Sequence, residues 1–571
     1  GELVTTTLAD IPVQQAKCQQ IRVEHRLGRR GAPRIRVWAN KPDGAPGLVL
    51  RGEVADHLAG GFKRKKNIAA PGVLRLRLDH YIARWLISIP NDPAAKKNVV
   101  LTVDWMGGRW RWSGILKNWR LRTENGVRYL ETNWIDDLQF LQFMLGPPNP
   151  LLPIPIFQFP RVLPIFGPAK WAISIMILLN LIRLNGNLWT LPDDPFAAES
   201  WDDLFDWSDW QVLIKANPFD LDDSSTWTLL ATRMNRMDSV IADALDDAKL
   251  VLTYRRILTV DGETCPVEGV PECANGALVL EVVDPAQYWG PDGTATGGGI
   301  AEGFARTVQQ FLSGFVEDTK VMIGDDQSIK PGEYYEPGWY GTVGSHPWIV
   351  LRDSRWTSIQ TSDLVWSPAT AGSVIVGGDN PLMDQLARLT IESIAALIGY
   401  FLLGGFSGLG AIAADIVMPF LVGTIFAWLQ WENSTRMHNL GWVHLWEIYQ
   451  QGAENNAWSL TAVGALRSGF LATDSETAHQ LILGSACPIM PGLHYDVGTP
   501  IGSTCADVGD MIFVDQVEEM DLSWDWMSNR SYEWQTTVGT AKALMSQSER
   551  SARLINKALQ TLANIGVHLV S

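Results

Sequence analysis

Two histidines, His438 and His444, come nearest to a metal-ligating pair in this sequence, and they stand six residues apart. A zincin sets its imidazoles four residues apart on one helical face with a carboxylate beside them, so this spacing does not assemble that site. Ser407 lies in GGFSGLG, where the glycines do not frame it as a nucleophile elbow does and the apolar run around it brings no acid or base. The glycines of TGGGIAEG (296–303) have neither GxGxxG spacing nor a preceding strand, so a dinucleotide site lacks its frame. Paired carboxylates, Asp202 with Asp206 and Asp136 with Asp137, have the residue types of a glycosidase, but acids at loops and helix ends are ordinarily solvated. In SWDDLFDWSDW (200–210) indoles alternate with carboxylates, which reads either as a sugar-stacking loop or as aromatics packed onto the domain beneath. The sequence therefore predicts a non-enzymatic protein with no metal and no cofactor.

The elements around these residues belong to a mixed, β-rich multidomain chain. Of 571 residues, 46% are hydrophobic, and 26 Trp, 51 Gly and 31 Pro make the chain too apolar for disorder and too rich in breakers for a helical bundle. From Pro33 to Trp134, PRIRVW, GLVLRGEV, VLRLRL and NVVLTVDW read as strands, with turns at Met106-Gly107-Gly108 and at Glu124-Asn125-Gly126. Along RWRWSGI, a period of two sets Trp110 and Trp112 on one face and Arg109 and Arg111 on the other. The expectation is a twisted antiparallel sheet or tube-like barrel filling an N-terminal domain, 1–145.

Eight prolines between Gly146 and Pro168 forbid regular helix and predict an extended apolar strap, which with the Trp/Asp-rich connector makes a second segment, 146–225. Trp171–Ile182 is apolar but too short to cross a bilayer, and reads as a buried helix or strand. From Thr226 to Asp247, Leu230, Met234, Met237, Ile241 and Leu245 recur at spacings of three and four, which predicts a helix opening a second β-rich domain, 226–380. Ser393–Ala414 and Ile416–Trp431 carry no charge, and the glycines at 404, 405, 408 and 410 predict a reversal between two apolar helices in a hairpin, 381–440. Its candidate membrane-contact or subunit-core residues are Leu397, Ile398, Phe401, Leu402, Phe406, Leu409, Phe420, Phe426, Trp428 and Trp431. A Trp-rich segment and a terminal helix, from about Thr540 to Ile565, complete 441–571.

The formal net charge of −16 is unevenly distributed: the first 77 residues carry +9 and the remainder −25. This balance argues against sequence-specific nucleic-acid binding and marks Arg26, Arg29, Arg30, Lys63, Arg64, Lys65 and Lys66 as a basic interface for an acidic neighbour, or else a solvated face. Cysteines at 18, 265, 273, 487 and 505 form no disulfide framework; Cys265 and Cys273 are either reduced or bridged across a Pro-containing loop. The N-terminal residues have no apolar stretch behind a basic flank, so no secretory signal is predicted.

LVLRGEV (48–54), LRLDHYIARWL (76–86), NVVLTVDWMGGRWRWSGIL (98–116), NLIRLNGNLWTLPDDPF (180–196) and LDDAKLVLTYRR (245–256) resemble minor tail proteins of siphoviruses infecting actinobacteria, the Gp37-like tail hub family. The resemblance implies a homotrimeric hub at the virion tail tip, below the distal tail protein and around the end of the tape measure protein, among other minor tail proteins. It further implies tube-like β domains, two per chain and six per trimer. The apolar hairpin adds transient contact with host envelope lipid to these expectations. The alternatives are a carbohydrate-active hydrolase of the tail and a stand-alone membrane-inserting protein.

Overall fold

Strands dominate the described residues, some with alternating burial, as along Pro71–Arg77, and some buried throughout, as along Val99–Trp105. The computed structural model describes residues 11–124, 126–150, 163–185, 207–285, 298–313, 322–323, 347–353, 358–377, 428–449, 469, 473, 476–485, 489–508 and 512–539. Two compact units divide it: 1–303, 323–363 and 479–539 form the first, and 304–322, 364–478 and 540–571 the second. Of the expected elements, the apolar helical hairpin up to residue 427 and the terminal helix lie outside the described residues.

In the first unit a helix, α1 (Ile11–Arg30), leads into β1 (Arg34–Asn40), β2 (Leu48–Val54), β3 (His57–Lys65) and β4 (Pro71–Arg77). A short helix, α2 (Tyr81–Ser88), is capped by His80, whose ring Nδ1 accepts from the Ile82 amide. Then come β5 (Val99–Trp105), β6 (Trp110–Glu124) and β7 (Val127–Asp136). Glu124 opposes Val127, and Gly126 has φ 78°, as a tight hairpin between them requires.

Later strands of the first unit return to this sheet. β1 to β7 join β17 (Glu476–Leu483), β18 (Pro500–Thr504), β19 (Ile512–Asp525) and β20 (Arg530–Val538), which follow the intervening elements given below. The order is β13-β17-β20-β19-β3-β4-β7-β6-β5-β1-β2, where β13 is Ile359–Ser367, with β18 also paired to β19. Among the described residues this is an open path, so the expected closed barrel is not formed: β2 pairs only with β1.

The sheet packs around indoles. Trp38, Trp105, Trp110, Trp112, Trp134 and Trp524 are all fully buried, each worth roughly 5 kcal/mol at about 25 cal/mol per Å². Glycine makes room for them. A Cβ at Gly72 would stand 2.7 Å from Trp112 and Phe62, and one at Gly114 would stand 2.3 Å from the Ile135 carbonyl oxygen.

A second core in the same unit is built on α3 (Ala169–Asn185), which replaces the helix-or-strand alternative with a buried helix. Against it lie β8 (Leu163–Pro168), β9 (Val212–Lys215), β10 (Trp227–Thr232), α4 (Met237–Asp247), β11 (Val251–Arg256) and β12 (Leu278–Val283). The helix expected from Thr226 starts only at Met237. Residues 227–232 instead pair antiparallel with β8, and this pairing overrides a three-and-four spacing that Leu230 and Met234 share by coincidence. Met234 itself has φ 64°, outside any right-handed helix.

After α5 (Ile300–Ser313) comes the strand β13 (Ile359–Ser367). The second unit contains β14 (Ala371–Gly377), β15 (Trp428–Glu432), α6 (Ser434–Leu440) and β16 (Leu445–Tyr449). Its sheet has the order β15-β14-β16, antiparallel then parallel. Asn433 caps α6 by accepting from the Arg436 amide, and the buried Arg436 guanidinium donates to the Thr473 hydroxyl and the Ala371 carbonyl.

Candidate assembly surfaces

The basic block of β3 lies against an acidic strand of the same chain. β3 and β19 run antiparallel with Lys65 opposite Glu519 and Lys63 opposite Asp521. Lys63 reaches Glu519 at 2.8 Å, Lys65 the same carboxylate at 3.3 Å, and Lys66 reaches Glu518 at 2.7 Å. Arg64 takes the opposite face, as a period of two demands, and turns inward. Its guanidinium pairs with Asp496 at 2.9 Å, donates to the Arg111 carbonyl and sits over the rings of Trp110 and Tyr254. Much of the positive charge read as an outward interface is thus met by residues 496–521. Arg26, Arg29 and Arg30 fall in the last turns of α1, and their side chains lie outside the described residues.

Sequence reasoning missed an ion network between β1, β5, β6 and the segment 256–263. Asp104 accepts from Arg36 and from Arg111, each at 2.5 Å, and all three side chains are buried. Arg36 also meets Asp261 at 2.7 Å, while Arg111 meets Glu263 at 2.8 Å, a carboxylate shared with Arg255. The signal was present as RIRVW, VDW and RWRW, strands whose charges sit within apolar runs. Arg111 lies on the face opposite the indoles, as a period of two sets it, and is buried there against these partners.

The acids Asp136 and Asp137 are not solvated, contrary to expectation: both are fully buried. Asp136 accepts from the amides of Ala70 and Leu138. Asp137 binds Arg256 through both carboxylate oxygens, at 2.6 and 2.8 Å, and also accepts from the Ser113 hydroxyl. Arg256 thus ties the acid pair to the second core. The cavity bordered by Arg64, Leu138, Tyr254 and Asp496 measures about 10 Å³, room for roughly one water.

Burial pushes the Asp136 carboxyl up to about 7, with the Asp137 charge adding to the rise, and burial pushes Asp515 up to about 6. A carboxyl whose folded value is raised gives its full stabilisation below the unfolded value near 3.8 and loses it as pH climbs through the folded value. Wild type is therefore expected to be more stable at pH 5 than at pH 8, by on the order of 3 kcal/mol from Asp136. Asp136→Asn should flatten this dependence in thermal melts across pH. An unchanged slope in that variant removes Asp136 as its source.

Cys265 and Cys273 are both free and lie beside each other. Burial, with Cys265 beside it, pushes the Cys273 thiol up to about 12. His438 lies in α6, and the ring Nδ1 of His444 is hydrogen-bonded to the Gly441 carbonyl. Among the described residues no group of three metal-ligating side chains converges, and no helix is long and apolar enough to cross a membrane.

Of the apolar candidates, Leu397, Ile398, Phe401, Leu402, Phe406, Leu409, Phe420 and Phe426 lie outside the described residues. Trp428 and Trp431 fall in β15, where Trp428 opposes Gly377 and Trp431 opposes Val374. Gly377 and Trp428 are thus cross-strand partners at one end of the second unit's sheet.

The family model described as Siphovirus ReqiPepy6 Gp37-like protein matches residues 34–540. Minor tail protein Gp28 of Mycobacterium phage L5 is 29% identical over 526 residues, covering 83% of this chain and 86% of that protein. Minor tail protein Gp28 of Mycobacterium phage D29 is 29% identical over 529 residues, with the same 83% and 86% coverage. Among solved structures, a tail protein from Neisseria meningitidis MC58 aligns with TM-score 0.37 and 10% identity over 89% of this chain and 97% of that one. The 43 kDa tail protein of prophage MuSo2 from Shewanella oneidensis aligns with TM-score 0.37 and 8% identity, over 90% and 99%.

Proposed function

This chain belongs to the Siphovirus ReqiPepy6 Gp37-like family as a minor tail protein of the virion, and from that premise we propose that it is the hub of the tail tip. In this reading three copies form a ring that closes the tail tube, joins the distal tail protein to the tape measure protein and takes part in genome delivery. The observation that carries the reading is the extent of the family match. It begins at Arg34, the first residue of β1, and ends at 540, just past the last strand at Val538, so it spans the sheet-forming body. The buried ion networks suit a structural part, because their carboxylates are engaged by guanidinium groups rather than directed at a substrate.

Light scattering of the purified chain at micromolar concentration, without detergent, is expected to give the mass of three copies. Antibody-gold should mark the distal end of negatively stained virions. A monomer, or label along the tail shaft, overturns the hub reading.

The uncharged runs on either side of Asp415 are proposed to contact the host envelope during entry. Particles carrying Leu402→Asp and Phe406→Asp are expected to assemble and adsorb but to fail in DNA delivery, measured as potassium efflux and plaque titre. Absence of intact tails instead assigns the segment to a buried subunit core, and normal infection removes both roles.

A further inference from the structure

The edge of the second unit's sheet carries an apolar surface that none of the elements above covers. Trp442, Val443, Leu445 and Trp446 are 95%, 83%, 65% and 80% exposed. One side of β16 is paired with β14, in parallel, from Ala371 opposite Leu445 to Ile375 opposite Tyr449. Among the described residues no strand pairs with its other side. Successive side chains of a strand point to opposite faces, so the exposure of both Leu445 and Trp446 leaves both faces of this edge open. Such an edge aggregates unless something covers it.

We propose that the β16 edge is a subunit contact, occupied by a second copy of this chain; the inference deepens the trimer reading and rests on it. Lipid is a poor occupant, because a bilayer offers no partner to the backbone N–H and C=O groups along an open strand edge. A strand of another chain satisfies those groups and covers both side-chain faces at once. The composition is that of a permanent contact between like chains. From Leu440 to Tyr449 the only formal charge is Glu447, which accepts a hydrogen bond from Gln430, and charge depletion of this kind marks the core of obligate homo-oligomer interfaces. The two indoles alone offer about 400 Å², half of the roughly 800 Å² per partner in a standard interface. Topology favours a ring. The order β15-β14-β16 leaves an outer edge at each end among the described residues, so β16 of one copy adding to β15 of the next closes head to tail, whereas β16 pairing with β16 stops at two copies.

The test uses the full chain. Trp442→Ser with Trp446→Ser is expected to lower the light-scattering mass threefold, from trimer to single chain, with an unchanged far-ultraviolet circular dichroism spectrum. In an otherwise wild-type chain, a benzophenone amino acid replacing Val443 should cross-link to β15 of another copy, mapped by peptide mass spectrometry. A serine double variant that stays trimeric at wild-type concentrations, together with no cross-link between copies, overturns the contact and leaves the trimer standing. A monomeric wild type overturns the trimer itself. Cross-links to phosphatidylglycerol and cardiolipin vesicles in place of a second copy overturn the inference in favour of a membrane surface. If the serine variant does not fold, the benzophenone chain decides alone.

Discussion

Asp104→Ala is expected to destabilise the first unit by about 3–5 kcal/mol, because it strips the shared carboxylate from two buried guanidinium groups at once. Arg36 would keep Asp261 and Arg111 would keep Glu263, but both of those acids are more exposed than Asp104 and lie on the connecting segment rather than on the sheet. The asymmetry of buried ion pairs gives a second arm to the experiment. Removing one member leaves a charge in a poor solvent, whereas replacing Arg36, Asp104 and Arg111 together by apolar residues of similar volume is expected to cost far less. Urea denaturation followed by tryptophan fluorescence measures both. A loss below 1 kcal/mol for Asp104→Ala would show that water reaches the network and screens it.

Gly114→Val should be nearly as damaging for a reason that has nothing to do with charge. Its first added carbon would stand 2.3 Å from the Ile135 carbonyl oxygen and 2.7 Å from the Trp112 ring, so backbone as well as side chain must move. Overpacking ordinarily costs 1–3 kcal/mol, and because β6 and β7 are joined here by backbone pairing, a loss of about 3 kcal/mol or more is expected. Gly107→Ala is the contrast. That glycine has φ 69° with no atom within 4 Å of an added Cβ, so only the left-handed backbone resists, at about 1–2 kcal/mol. Thermal melts that rank the two variants in the opposite order would refute this account.

The strands from 34 to 54 and from 99 to 136 were legible in the sequence because their neighbours in the sheet are near in the chain and their turns carry glycine. Trp110 and Trp112 lie buried where a period of two placed them. What could not be read was pairing at long range. Nothing local to HLAGGFKRK announces that its partner is IFVDQVEEMDLSWD, 456 residues away at Lys63 and Glu519. The count of positive charge was legible, whereas the carboxylates of residues 496–519 that Lys63, Arg64, Lys65 and Lys66 meet were not. Asp136 and Asp137 were misjudged for the same reason. Adjacent acids look solvated until the Ala70 amide and the Arg256 guanidinium are brought to them by the fold. At 227–232 a helical spacing lost to a strand partner, β8, about sixty residues earlier.

The β3–β19 seam also sets a clock on synthesis. Ribosomes add about 5–20 residues per second, so the 456 residues between Lys63 and Glu519 take roughly 23–90 s to deliver. For that interval the nascent sheet has β3 at its margin with the partner strand still unmade. Lys63, Lys65 and Lys66, which later meet Glu518 and Glu519, serve meanwhile as like charges that keep such margins of neighbouring nascent chains apart. A message cut short before residue 512 would release a product whose N-terminal sheet never receives its missing strands, so residues 512–538 decide whether the sheet begun at residue 34 survives.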